Sequence, residues 1–194
     1  MKVTLLAITQ DAEKLIELAG RTCYQSFDKI TDESAGKFIK AILNKRHETP
    51  IEMGHAVFKI EEVSRALSHQ LVRHRLHSFN QQSQRYVSEI SFQYVIPPTI
   101  QENEEALNIF YDTMQFLQQS YDKLVKLGIP KEDARYVLPN ACYTELVAGA
   151  NFRQWRQFLK LRTDKHAQWE IRNMANEILK ILKQNCPNVF HDFE

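Results

Sequence analysis

The sequence has only five glycines, at positions 20, 36, 54, 128 and 149. No GxGxxG loop can be written with them, so a dinucleotide, if one binds, is not held by a Rossmann fingerprint. The three cysteines, Cys23, Cys142 and Cys186, stand singly with no CxxC pair. That spacing excludes a zinc knuckle and a disulfide framework, and predicts reduced, mostly buried thiols and no bound metal. No apolar run is long enough to span a bilayer, and the apolar stretch before Asp11 is too short for a secretory signal. A cytoplasmic protein without a membrane partner is expected. With Lys and Arg balancing Asp and Glu to a net charge of +1, a dedicated nucleic-acid binder is disfavoured, because such domains carry a basic surplus. The P-loop or paired carboxylates of a metal-dependent phosphohydrolase are also missing. What remains is an ordinary globular composition over 194 residues, read as a single domain, 1–194.

One further absence is local. From Val63 to Ser88 there is no Asp, Glu or Lys, while Arg65, Arg73, Arg75 and Arg85 and the histidines His69, His74 and His77 fall inside the window. Guanidinium presents a planar fork that matches phosphate and carboxylate oxygens. Gln70, Asn80, Gln81, Gln82 and Gln84 add amide donors and acceptors, with Ser78 and Ser83 among them. The inventory suits phosphate, sugar hydroxyls and base edges together, which points to a nucleotide site. A solvated basic face is the plain alternative. A single-strand RNA module that stacks bases on Phe79 and Tyr86 is another.

Along the chain, Val3 to Thr9 reads as a strand and Asp11 starts a helix through Leu15, Leu18 and Ala19. Thr31 to Asn44 is a second helix, capped by Thr31 or Asp32, with Phe38, Ile39, Ile42 and Leu43 on one face. His47-Glu48-Thr49-Pro50 is a loop. Ala56 to Ile60 is a strand, and a helix from Val63 carries Gln70 and Arg73 on one side towards the arginine segment, whose Leu76 and Phe79 are expected to pack inward. Phe92 to Ile96 reads as a strand stopped by Pro97-Pro98. Leu107, Phe110, Met114, Leu117, Tyr121 and Leu124 mark a helix of some six turns ended by Gly128, with Ile109, Phe116 and Val125 left for a subunit contact. Leu146 to Ala150 is a strand, followed by a helix capped by Asn151. On it Phe152, Trp155, Leu159 and Arg162 share a face, and Arg153, Arg156 and Gln157 lie on others. A charge on an apolar face calls for a partner or a ligand. The last helix, capped by Thr163 or Asp164, carries Ile171, Met174, Ala175, Ile178, Ile181 and Leu182.

Arg73-His74-Arg75, then Ser83, then Arg85-Tyr86, resembles the signature of the flavin-dependent thymidylate synthases. The stretches Ala134-Arg135 with Val137-Leu138-Pro139, and Leu161 to Arg172, are similar to that family as well. The resemblance runs from His47 to about Phe190. It implies an α+β fold, an antiparallel sheet with packed helices, and reductive methylation of dUMP to dTMP with 5,10-methylenetetrahydrofolate as carbon donor. It implies FAD as cofactor, reduced by NADPH, and a homotetramer whose sites draw on several subunits. Carried over residue by residue, flavin contacts fall on Thr49, Arg73, His74, Arg75, Gln81, Asn151, Arg153 and Gln157. Contacts to dUMP fall on Gln70, Leu71, Val72, Arg73, Gln81, Gln82, Ser83, Gln84, Arg85, Arg135 and Arg162, with His47 near the folate and the pyrimidine. Arg162 is the residue that polarises the uracil, and Ser83 and Arg85 hold the phosphate. The sequence departs from the family in having Gln81 where many members have Glu, and Gln157 where Asn is common.

Overall fold

A computed structural model describes residues 1–193. In chain order the elements are β1 (Lys2–Ile8), α1 (Ala12–Thr22), α2 (Ser34–Asn44), β2 (His55–Ser64), α3 (Arg65–Leu71), β3 (Ser78–Gln81), α4 (Pro98–Gln101), α5 (Glu104–Lys126), α6 (Lys131–Ala134), β4 (Tyr143–Asn151), α7 (Phe152–Arg162) and α8 (Trp169–Asn185). Single 3₁₀ turns lie at Phe27–Lys29, Pro50–Met53 and Arg135–Val137. The strands form one antiparallel sheet in the order β1-β2-β4-β3, so the fold is α+β, as expected.

The chain divides into two compact units. One, the α5 unit, comprises Met1–Lys2, Glu61–Leu71 and Asn80–Leu146; the other, the α7 unit, comprises Val3–Ile60, Val72–Phe79 and Val147–Glu194. The arginine motif is therefore cut between Phe79 and Asn80.

In the α7 unit the core is aromatic and aliphatic. Phe58, Phe152, Trp155, Phe158 and Leu159 are fully buried, as are Ile16, Ile39 and Ile51. Helix α7 is seated by three contacts. The Asn151 side chain caps it by accepting from Gln154 N at 2.9 Å, Trp155 Nε1 donates to Ala56 O at 3.0 Å, and Phe152 N donates to Gly54 O at 2.8 Å. Gly54 is required here, because a Cβ at that position would lie 2.3 Å from the Phe152 ring. The helix therefore starts where its sequence predicts, and Phe152, Trp155 and Leu159 face inward. Helix α8 buries Ile171, Met174, Ala175, Ile178 and Leu182. The α5 unit has a smaller core of Phe92, Met114 and Cys142, with Tyr94, Phe110, Leu117, Leu138 and Ala141 packed on it.

Several expectations are corrected. Val63 is the penultimate residue of β2, so α3 is a short helix ending at Leu71 and Arg73 lies beyond it; β-branched Val63 continues the strand's alternation better than it starts a helix. Phe92 to Ile96 makes only an isolated bridge, Tyr94 to Cys142, in place of a strand. The buried side of α1 is Ala12, Ile16 and Gly20, leaving Leu15 and Leu18 exposed. A small-residue face lets the Phe38 ring close on Gly20. Helix α2 starts at Ser34, without a side-chain cap bond from Glu33. Leu76 is 71 % exposed. Helix α8 is capped by Gln168, whose Oε1 accepts from Glu170 N and Ile171 N, because Asp164 is engaged with His166. Arg156, expected away from the apolar face, is buried, and its terminal nitrogens make a bidentate pair with Asp192 at 2.6 Å. The thiols are mostly buried, as expected: Cys142 and Cys186 are inside and Cys23 is exposed.

Candidate active site

Within the α7 unit a cavity of about 360 Å³ is lined by Arg73, His74, Arg75, Leu76, His77, Gln154, Gln157, Leu161 and Arg162. Three arginines line it and no carboxylate does. The guanidinium groups of Arg73 and Arg75 have no hydrogen-bond or ion-pair partner among the described residues. Arg162 is held from behind: its Nε donates to His74 Nε2 at 3.0 Å, which leaves both terminal nitrogens for a ligand. That bond needs His74 unprotonated at Nε2. Burial, and then the Arg162 charge, lower its pKa to about 4, which keeps it neutral. His77, packed edge-on to Trp155 at 4.6 Å and Phe158 at 5.9 Å, is likewise lowered to about 4 by burial and by His74. Both its ring nitrogens are buried without a partner among the described residues. Burial also lowers the pKa of Arg162, without threatening its charge.

A second cavity of the same unit, about 340 Å³, is lined by Gly20, Cys23, Tyr24, Phe38, Ile42, Arg46, His47, Glu48, Thr49, Pro50 and Arg153. It gathers three of the expected residues, His47, Thr49 and Arg153. Here the arginine is already engaged: Arg153 Nη1 reaches Glu52 at 2.6 Å and Nε reaches Glu48 at 3.4 Å, pairing that raises its pKa.

The α5 unit holds the other half of the motif, and there the amides turn inward. Gln81 Nε2 donates to Ser68 Oγ at 2.9 Å and to Thr144 Oγ1 at 3.1 Å. Gln82 Nε2 reaches Glu89 at 3.4 Å and Gln84 Nε2 reaches Cys142 Sγ at 3.9 Å. Gln70 Nε2 donates to Ala66 O at 3.3 Å. The Ser83 hydroxyl accepts from Arg85 N at 3.3 Å. Arg85 Nε meets the Glu132 carboxylate at 2.9 Å, and Arg135 Nε donates to the Glu132 carbonyl at 3.0 Å. Leu71 is fully buried and Val72 is 38 % exposed.

A family model for the thymidylate synthase complementing proteins matches residues 4–188. The chain is 40 % identical to a flavin-dependent thymidylate synthase of Clostridium tetani, over 98 % of this chain and 85 % of the relative. It is 40 % identical to one of Geobacter sulfurreducens, over 99 % and 86 %, and 37 % identical to one of Corynebacterium diphtheriae, over 95 % and 80 %. The chain belongs to the flavin-dependent thymidylate synthase family.

A flavin-dependent thymidylate synthase must hold a phosphate-bearing cofactor, and the donor set fits. Unpaired Arg73 and Arg75 on one acid-free cavity are suited to pyrophosphate, and the volume suits one portion of a dinucleotide. Sequence reading missed Glu48, Glu52, Glu89 and Glu132, the carboxylates that hold site residues. Glu48 stood in a charged tetrapeptide that was already singled out. Glu89 and Glu132 carried no local signal, since Gln82 stands seven positions from Glu89, in a stretch with no helical or strand repeat, and Arg85 forty-seven from Glu132. Among the described residues no helix is long and apolar enough to cross a membrane and no His, Cys, Asp and Glu cluster could hold a metal.

Proposed function

We propose that this chain carries out its family's reaction, the reductive methylation of dUMP to dTMP with 5,10-methylenetetrahydrofolate as carbon donor and FAD as cofactor, reduced by NADPH. When bound, the flavin supplies the hydride. The observation that carries the assignment of roles is the cavity on which Arg73, Arg75 and Arg162 converge without a carboxylate. In this reading Arg73, His74, Arg75 and Gln157 hold the flavin, with Thr49, Gln81, Asn151 and Arg153 as further contacts. Arg153 exchanges Glu48 and Glu52 for a cofactor phosphate. Asn151 contributes its Nδ2, since its Oδ1 caps α7.

Arg162 is the catalytic residue. Its always-charged fork, fixed through Nε by a neutral His74, stabilises negative charge developing on the pyrimidine oxygen edge and adjacent nitrogen. The nucleotide is bound by Arg73, Gln70, Leu71 and Val72, by the turn Gln81, Gln82, Ser83, Gln84 and Arg85, and by Arg135. Ser83 and Arg85 take the phosphate. The turn's glutamines have committed their amide nitrogens inward, and Gln82 N and Arg85 N are also engaged, which leaves the Ser83 and Gln84 main-chain N–H groups and the Ser83 hydroxyl to face the nucleotide. His47 serves the folate and the pyrimidine. Among the described residues the one group bonded to the Ser83 hydroxyl is Arg85 N, which is no base to make it a nucleophile.

The family model spans parts of both units, which supports treating residues 1–194 as one catalytic domain. A homotetramer in the cytoplasm, with no nucleic-acid partner, completes the reading. The visible spectrum of the purified protein tests it. A flavin spectrum that shifts on adding dUMP is expected; a colourless protein that takes up no FAD and ignores dUMP would overturn it.

A further inference from the structure

Glu89, which receives the Gln82 amide, has no role in the reading above, yet its carboxylate is buried, with the residue only 6 % exposed. A carboxylate in that position is costly unless its lone pairs are satisfied. One oxygen accepts from Gln82 Nε2 at 3.4 Å. The other accepts from the Cys142 thiol at 3.7 Å, and Cys142 Sγ in turn accepts from Gln84 Nε2 at 3.9 Å. The two residues that flank Ser83 are thus tethered to one carboxylate, Gln82 directly and Gln84 through a thiol.

The main chain of Glu89 is fixed as well. Its N–H donates to the Tyr121 hydroxyl at 3.2 Å and its carbonyl accepts from Gln118 Nε2 at 3.5 Å, both on α5. The turn is gripped from its other side by Arg65 Nη1 on Gln82 O at 3.4 Å and by Gln82 N on Glu145 O at 2.9 Å. The 23-residue helix, through Glu89, therefore sets where the turn sits. Buried polar groups held this way rigidify what they touch.

We propose that Glu89 is a positioning residue for the pyrimidine nucleotide: by holding Gln82 and Gln84 it fixes the angle at which the turn presents the Ser83 hydroxyl and the backbone N–H groups of Ser83 and Gln84. The proposal rests on the assignment of that turn to dUMP. Burial raises the pKa of Glu89 and pushes the Cys142 thiol to about 12. The thiol thus stays a hydrogen-bond donor and is not a nucleophile.

The experiment uses the FAD-loaded protein and reads dUMP affinity from the flavin absorbance change, beside FAD affinity and thermal melting. Glu89→Gln keeps the shape but not the paired acceptors. It is expected to weaken dUMP binding about tenfold, the loss of one well-placed hydrogen bond, and to raise KM for dUMP with kcat little changed. FAD affinity and melting temperature stay near the parent values. Combined with Gln82→Leu it should cost no more than Glu89→Gln alone, since the arm that Gln82→Leu cuts is already lost.

Cys142→Ala cuts only the arm to Gln84 and is expected to lose about threefold, which keeps the test alive if Glu89→Gln does not fold. Unchanged dUMP affinity in a well-folded Glu89→Gln protein overturns the proposal, as does a parallel loss of dUMP affinity, FAD affinity and melting temperature. A parent whose bound flavin ignores dUMP overturns the assignment of the turn itself, a distinct failure that takes the proposal with it.

Discussion

The two halves of the arginine motif use their polar groups in opposite ways. Arg73, Arg75 and the terminal nitrogens of Arg162 in the α7 unit stand on a cavity wall without partners among the described residues. Gln81, Gln82 and Gln84 in the α5 unit donate their amides to the protein. A charged fork without a counter-charge is poised for a ligand, since only an anion from outside can neutralise it. An amide already satisfied inside instead fixes the backbone it belongs to. The first half presents side chains, and the second is a scaffold that presents a serine and main chain.

The sharpest way to break this contrast is Arg162→Ala. It is expected to leave folding and flavin binding near normal and to lower dTMP formation by roughly 10²–10³-fold, the cost of removing one donor from a developing anion. Near-normal turnover would remove Arg162 from the chemistry. The second test is pH. His74 and His77 are both held down to about 4, below the ordinary 6.5 of histidine. Their neutral forms therefore stabilise the fold above about pH 6.5, and that stability is lost as pH falls through 6.5 towards 4. A loss of about 2 kcal/mol is expected, well below the unscreened figure because His74 is only half-buried. Denaturant titrations at pH 7.5 and 4.5 measure it, and His77→Phe should shrink the difference.

The same contrast is legible only in part from the sequence. The Arg-His-Arg signature, its serine and its Arg-Tyr were visible because they carry fixed residue types at fixed spacing. The helix behind Arg162 was visible because Phe152, Trp155 and Leu159 recur at helical intervals, and all three are buried. The face of α1 was misread, because Leu15 and Leu18 are as apolar as Ile16 and the choice between them depends on where Phe38 lies. Periodicity put Arg162 on the apolar face and Arg156 off it, yet Arg156 is the one that is buried. Only the position of Asp192 turns Arg156 into a buried ion pair.

Two smaller effects sharpen the scaffold half. Gln81→Met removes the amide shared by Ser68 and Thr144 and is expected to destabilise the protein by about 1–2 kcal/mol, since it leaves a hydroxyl without its donor. Thermal melting reads the loss, and FAD affinity in the same variant tells whether Gln81 also touches the cofactor. Glu132→Gln should tighten dUMP binding by about threefold, because it frees the exposed Arg85 from a carboxylate that competes with phosphate. Looser binding would mean that Glu132 orients Arg85 instead of competing for it.

The sequence by itself determined the chemistry available to this protein. Arginines without neighbouring acids, a serine between glutamines and too few glycines for a phosphate loop are properties of residue identity and spacing. Tertiary structure decided which of those groups are committed. Charge pairing and hydrogen bonding depend on distances of about 3 Å, and the residues that set them here, Glu52, Glu89, Glu132 and Asp192, lie from 7 to 101 positions away from their partners. The deciding carboxylates have no local pattern in the chain, and folding alone brings them into reach.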